Sequence, residues 1–244
     1  MSADDRKANP VPYKLQVDPA IFETFPEYRV LLLYAYGLDN APSDDWSSGF
    51  LRVAEAEARA AFGDAKPATH PHIAAWRETF SRFGAKPSKY PCSVEALLSR
   101  VLKGQDLPGI NRVVDLYNAV SIRHVLPIGG EDLDQLTSDS ILKFASGDEP
   151  FSLISGGEEV IEHPEPGEVV WADSSGVTCR RWNWRQCRRT QLTEATRNAY
   201  FVLDSVTPYS LESLNAAGDE LARLLEEASP GVRIEHEVIA RNES

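Results

Sequence analysis

The sequence predicts an α+β fold, a single domain over residues 1–244 in which a mixed β-sheet packs with helices. Three observations predict it. Helix-period apolar patterns occupy the first half of the chain, segments rich in β-branched and aromatic residues occupy the second, and the two do not alternate as a parallel α/β fold requires. The 244 residues are enough to enclose a substantial core, and no repeat or low-complexity segment divides them. The longest strongly apolar run, residues 30–36, falls far short of the roughly 20 residues of a membrane span. The polar start MSADDRKANP reads as neither export signal nor anchor, so no membrane partner is expected and the cytoplasm is the expected compartment.

The stretch RVLLLYAYG, residues 29–37, reads as a mostly buried strand because a short apolar run is closed by glycine. Asp44 or Asp45 is placed to cap a helix that runs to about Phe62 and stops at Gly63. Thr69 and Pro71 open the next helix, whose Ile73, Trp76, Phe80 and Phe83 share one face before Gly84 ends it. The loop AKPSKYPC follows, its prolines preventing continued helix. Ser93 is expected to cap VEALLSRVLK, in which Val94, Leu97, Leu98, Val101 and Leu102 recur at helical spacing. A helix over residues 111–123 buries Val113, Val114, Tyr117 and Val120 and runs into HVLPIGGEDLD. Strands are expected at 141–145, 168–172, 177–184 and 198–205, with DSSG, residues 173–176, as a hairpin turn. Ser210 caps a last helix with Leu211, Leu214, Leu221, Leu224 and Leu225 inward, and residues 232–239 return as an edge strand.

Charge is unevenly spread. The chain carries −12, yet residues 80–103 sum to +4 and residues 177–200 to +5, which leaves −21 on the other 196 residues. An acidic body with two basic patches argues against general coating of nucleic acid and permits a small, directed phosphate or carboxylate site. Cys92, Cys179 and Cys187 form no Cys-x-x-Cys pair and fit free thiols in a reducing compartment. His70 and His72 have the wrong spacing to share a helix face, so they read as the polar start of a helix; no metal and no other cofactor is expected.

Three clusters carry candidate chemistry. In KPSKYP, Lys86 and Lys89 flank a rigid loop that ends at Tyr90, where their ammonium groups either meet a phosphate or carboxylate or are simply solvated. In VVDLYNAVSIRHVLPIGGEDLD, Asp115, Asn118 and Ser121 are polar residues within an apolar helical pattern, and buried polar groups need partners, of which a ligand is one. Gly129 and Gly130 lack Cβ atoms, so they form either a close-approach cradle of backbone N–H groups or an ordinary tight turn. In RRWNWRQCRR, residues 180–189, an extended chain puts Arg180, Trp182 and Trp184 on one face and Cys179, Arg181, Asn183 and Arg185 on the other. One of these faces is expected to line a pocket; the competing reading has the tryptophans in the core and the arginines paired with surface acids.

Taken together, KPSKYPCSVEALLSRVLKG, VVDLYNAVSIRHVLPIGGEDLD and CRRWNWRQCRRTQLTEAT resemble the B3/B4 domain family, the editing domain of the phenylalanyl-tRNA synthetase beta subunit, in a stand-alone form. The resemblance covers residues 80–205, with a strand-helix extension at 11–79 and a helix-strand segment at 210–240. It implies an α+β fold on a mixed sheet and, from the synthetase version, hydrolysis of the ester of mischarged aminoacyl-tRNA. It carries over Asp115, Asn118, Pro127 and Asp132, and places Asp204 where the family recognises the wrong amino acid. The chain departs from the pattern at Gly129, where the synthetase supplies a histidine, and at Tyr117 before Asn118.

The function this implies is trans-editing of aminoacyl-tRNA, with the acceptor end of tRNA as partner. Asn118 orients the ester or water, Gly129 and Gly130 offer N–H donors, and Asp132 and Asp173 are candidates for the α-amino group. Arg180 and Arg185, with Lys89, anchor the terminal nucleotide; Tyr90, Ser121, Asn183 and Asp204 complete the expected substrate contacts. Two other readings stand beside it: a tRNA-binding or amino-acid-binding module without turnover, and a thiol-dependent hydrolase using Cys92 or Cys187.

Overall fold

The computed structural model of the chain describes residues 13–241, so the reading of the N-terminal decapeptide and the first two residues of the 11–79 extension lie outside the described residues. A short strand β1 (Leu15–Val17) and a one-turn-plus helix α1 (Pro19–Thr24), capped by Asp18, precede β2 (Arg29–Tyr36). Four helices follow: α2 (Asp45–Phe62), α3 (Pro71–Arg82), α4 (Ser93–Val101) and α5 (Arg112–His124). The sheet-rich part comprises β3 (Ile128–Asp132), β4 (Ser140–Phe144), β5 (Phe151–Ser155), β6 (Glu158–Glu162), β7 (Val169–Asp173), β8 (Gly176–Arg180), β9 (Arg185–Gln186) and β10 (Asn198–Ser205). Helix α6 (Leu211–Ala228) and strand β11 (Arg233–Ala240) close the chain. The class is α+β as the patterns predict, but the strands form several sheets rather than one.

A four-stranded antiparallel sheet runs β11-β2-β10-β3, a five-stranded sheet runs β1-β4-β7-β8-β9 with only the β1–β4 pair parallel, and β5 and β6 form a hairpin. The continuous apolar run of β2 has a simple cause: its sheet is covered on both faces, which removes the polar alternation of a half-exposed strand. Leu31, Leu33, Phe201 and Leu203 face α5 and α6, while Val30, Leu32, Tyr34, Tyr200 and Val202 face a second core with Trp76 and Trp182. Two helix starts differ from expectation. Cys92, not Ser93, is the cap residue of α4, and Ser93 Oγ is buried without a partner; His70 precedes α3, and Thr69 lies in a short 3-10 turn. His72 is a core residue rather than part of a polar helix start. Its Nδ1 is 2.9 Å from Val125 O, Nε2 accepts from Trp76 Nε1 at 3.1 Å, and burial lowers its pKa to about 4.

The decisive local departure is the expected strand at 177–184. It ends at Arg180, because Arg181 (φ 46°) and Trp182 (φ 66°) both adopt left-handed backbone. Non-glycine residues there cost on the order of 1–3 kcal/mol each and persist only where the surroundings compel them. Here Trp182 N–H donates to Val169 O at 2.7 Å, and the indole is fully buried with its ring centroid 5.0 Å from Phe25, 4.8 Å from Tyr28 and 5.4 Å from Trp76. Burying one tryptophan in an aromatic cluster therefore offsets the backbone strain. The same turn packs Arg181 against the Tyr90 and Trp184 rings and brings Asn183 within hydrogen-bond reach of Asp204 on β10.

Candidate active site

A cleft of about 240 Å³ opens where the β3–β10 edge meets α4, α5 and the 181–186 turn. Strand periodicity builds its floor. Glu131 lies opposite Tyr200 and Gly129 opposite Val202, so these four share a sheet face, and Asp204 joins them two residues beyond Val202. Trp171, Trp182 and Trp184 supply walls; Asn118, Arg185 and Gln186 also line the cleft.

Two carboxylates sit in this floor, both removed from solvent: Asp204 is 2% exposed and Glu131 4%. Asp204 accepts from Tyr28 Oη at 2.6 Å and Asn183 Nδ2 at 3.1 Å. Burial pushes its pKa up to about 7, against these hydrogen bonds, which favour the charged form. Trp182 Nε1 lies near enough to favour the carboxylate slightly without completing a hydrogen bond. Glu131 Oε2 accepts from Thr190 Oγ1 and Tyr200 Oη, each at 2.6 Å, and its pKa is likewise raised by burial. Around them Trp171 Nε1, Trp182 Nε1 and Asn183 Oδ1 are buried with no hydrogen-bond partner among the described residues. Unpaired buried polar atoms are rare, and these three belong to residues that line the cleft, with Trp182 Nε1 on the Asp204 side.

The structure brings Asn118, Gly129, Asn183, Arg185 and Asp204 together at this cleft. It takes other expected residues elsewhere. Ser121 Oγ donates to Leu126 O at 2.6 Å and closes the end of α5. Asp115, carried over with Asn118, is fully buried and accepts from Ser47 Oγ and Ile110 N–H at 3.1 Å, pinning α5 to α2. Asp132 accepts from Asp134 N–H and from Thr196 Oγ1, on the opposite strand face from Glu131. Asp173 organises its hairpin turn through Thr137, Ser175 and Arg189. Arg180 faces away: its Nε and Nη2 form a fork on Glu168 at 2.9 and 2.8 Å, and Nη1 meets Glu162 at 2.9 Å.

The glycines form a strand, not a turn. A Cβ on Gly130 would lie 2.7 Å from Phe201 Cε1 and 2.9 Å from Leu192 Cδ1, so this glycine serves close packing. Its carbonyl accepts from Gln186 Nε2 at 3.1 Å, and by strand alternation its N–H points to that same edge. Pro127 keeps a backbone role: its carbonyl accepts from Asp204 N–H at 3.0 Å and fixes the end of β10. Lys89 and Tyr90 line a neighbouring cleft rather than this one. Sequence reasoning missed Glu131, Gln186 and Trp171; Glu131 was legible, since period-two alternation from the close-approach Gly129 selects it over Asp132.

The cysteines offer no nucleophile. All three are buried free thiols, and burial raises their pKa values, Cys92 to about 12, so the reactive thiolate is disfavoured at neutral pH. Among the described residues there is no group of three metal-ligating side chains, and no helix is long and apolar enough to cross a membrane.

A family model described as the B3/4 domain matches residues 75–229 of the chain. The chain belongs to the B3/4 domain family. The match begins within α3 and ends after α6, beyond both edges of the 80–205 core expected from the sequence, and it contains every cleft-lining residue named above. Among solved structures, this B3/4 domain protein is similar to an N-terminal fragment of the phenylalanyl-tRNA synthetase beta-subunit from Pyrococcus horikoshii, with 14% identity and a TM-score of 0.46 over 91% of this chain and 50% of that one. It thus spans about half the length of that fragment. No curated protein matches the sequence.

Proposed function

We propose that this B3/4 domain protein is a trans-editing deacylase that hydrolyses the ester of mischarged aminoacyl-tRNA. The observation that carries the reading is one aromatic-walled cleft in which Asn118, Asn183, Arg185 and Gln186 stand around the buried carboxylate of Asp204. An α-aminoacyl ester has the complementary set: an ammonium group for Asp204 and Asn183, carbonyl and ester oxygens for N–H donors, and a side chain for the walls. At about 240 Å³ the cleft is smaller than the roughly 300–1,000 Å³ of a drug-sized pocket and suits one aminoacyl group with the nucleotide outside.

An aminoacyl ester is an activated acyl donor, so positioning and electrostatics supply most of what hydrolysis needs. A water adds to the ester carbonyl, the tetrahedral oxyanion forms, and the bond to the ribose oxygen breaks as that oxygen takes a proton. The vicinal ribose hydroxyl assists the transfer in place of the histidine that Gly129 replaces. Asn118 orients the ester from α5, Gly129 admits it without a Cβ, and Arg185, exposed at the mouth without an ion pair among the described residues, meets the terminal nucleotide. The same reading puts the protein in the cytoplasm, where its buried thiols stay reduced.

The test is deacylation of a panel of labelled aminoacyl-tRNAs by wild type, Asn118→Ala and Asp204→Ala. Hydrolysis of a subset of the panel, lost in Asp204→Ala and reduced in Asn118→Ala without loss of fold, is expected. A second reading, binding without turnover, is favoured by the lack of a histidine or reactive thiol at the cleft among the described residues. Protection of the ester in place of hydrolysis would select it.

A further inference from the structure

Behind the Tyr90–Trp184 pair lies a second cleft, of about 380 Å³, lined by Lys86, Lys89, Tyr90, Arg181, Glu165 and Glu168. The two rings meet edge to face with centroids 4.9 Å apart. Trp184 belongs to the first cleft and Tyr90 to the second, so this pair is the partition between them.

Arg181 is the unusual member. Its side chain is only 8% exposed, and its guanidinium lies over the Tyr90 ring at 3.7 Å and the Trp184 ring at 4.7 Å. Its carboxylate partner is already saturated. Glu168 takes the Arg180 fork at 2.9 and 2.8 Å and the Arg181 backbone N–H at 3.2 Å, which leaves Arg181 Nη2 a longer contact of 3.3 Å. The remaining guanidinium donors have no protein acceptor among the described residues, though a buried Arg ordinarily spends them. Glu162 is taken by Arg180 as well, and Lys86 and Lys89 are exposed with no ion pair among the described residues. Glu165 is exposed at the rim. In a chain of net charge −12, three cations thus share this cleft with one saturated carboxylate and one at the rim, Arg181 held by the flanking rings and the lysines carried on flexible stems.

We infer that this second cleft binds a backbone phosphate of the tRNA acceptor end, with Arg181 as its planar fork and Lys86 and Lys89 as its point charges. The inference rests on the deacylase reading for the identity of the nucleic acid. The partition then has a purpose: Trp184 walls the aminoacyl group while Tyr90, on its other side, steadies the cation that holds the strand leading to it. A phosphodiester and a free phosphate share the recognising chemistry, and the experiment separates them.

The experiment measures the affinity of the full chain for unesterified tRNA at several KCl concentrations. Wild type is compared with Lys86→Gln/Lys89→Gln and with Lys66→Gln/Lys103→Gln, an equal charge change at exposed lysines outside both clefts. The first pair is expected to lose on the order of tenfold in affinity, with a salt slope shallower by about 1, and the second pair to match wild type. Equal losses in both pairs, or none in either, would overturn the inference. Inorganic phosphate titrated at constant ionic strength is the second arm: displacement of tRNA only at tens of millimolar is expected. Sub-millimolar phosphate binding that the first pair abolishes while tRNA affinity stays unchanged would assign the cleft to free phosphate instead. Deacylation measured in parallel keeps the two readings apart. Loss of tRNA affinity in a protein that hydrolyses nothing leaves the phosphate subsite standing and removes the deacylase, and hydrolysis with lysine-independent tRNA affinity does the reverse.

Discussion

Asp204 concentrates the electrostatic tension of the site in one side chain. Its pKa of about 7 in the folded chain lies above the ordinary aspartate value of 3.8, so the folded state holds the proton more tightly than the unfolded one. The stability this proton provides is complete below about pH 4 and is lost as pH rises through about 7, by up to about 4 kcal/mol. Asp204→Asn lacks this loss, and the unpaired Asn183 Oδ1 can accept from the new amide after a flip. Melting temperatures at pH 5 and pH 8 are therefore expected to shift in the variant's favour at the higher pH, whereas a constant gap would show that Asp204 does not titrate as described. The arginines give a second contrast at this scale. Arg180→Lys keeps the charge but loses the two-point fork on Glu168, and is expected to cost about 1.5–3 kcal/mol, the value of a hydrogen bond to a charged group. Arg185→Lys should melt like wild type and reduce deacylation, because its planar group faces the mouth of the cleft. Similar small effects at both positions would return the cluster to surface charge.

Among the elements, β3 decides the most. Its alternation sends Gly129 and Glu131 toward the cleft and Gly130 toward Phe201 and Leu192. Gly130→Ala must therefore displace core side chains from 2.7 and 2.9 Å, an overpacking expected to cost about 1–3 kcal/mol in chemical denaturation. Gly129→Ala meets only the flexible end of Gln186 at 3.0 Å, so it should fold nearly as well and lose deacylation. If Gly129→Ala instead retained full turnover, substrate does not approach that strand. The 181–186 turn is the second element of weight. Its two left-handed residues exist because Trp182 fills the aromatic core, and Trp182→Ala should destabilise by about 3–5 kcal/mol and disorder Asn183 and Trp184 with it.

For the molecule as a whole, the charge distribution sets how it meets a polyanion. A body at −12 repels tRNA except at the Arg185 mouth and the Lys86–Lys89–Arg181 cleft, so few phosphates are neutralised. The log–log salt slope of tRNA affinity is expected near 1.5–2, at roughly 0.7–0.9 for each of these two contacts; a slope several times steeper would mean that the acidic surface does not limit contact.

Periodicity and capping chemistry are local, and what depends on them was legible in the sequence: the α+β class, helices α2 to α6 within a few residues, strands β2 and β10, and Asn118, Asn183 and Arg185 as candidates that the structure places around one cleft; Asp204, which lines it too, entered through the family resemblance. The B3/4 resemblance rested on the same local motifs. What only the tertiary structure decided depends on partners distant in the chain. Asp204 meets Tyr28 across 176 residues and Glu131 meets Tyr200 across 69, and neither pairing leaves a mark on local pattern. The expected strand through RRWNWR broke for the same reason. An extended chain was the correct local inference, but a fully buried Trp182 among Phe25, Tyr28 and Trp76 outweighed backbone preference at two residues. That one packing event put Arg180 on Glu168, turned Arg181 toward the second cleft and placed Asn183 beside Asp204. Five arginines close in sequence thereby came to occupy unlike environments, because burial and partner choice are properties of the folded surface rather than of the decapeptide.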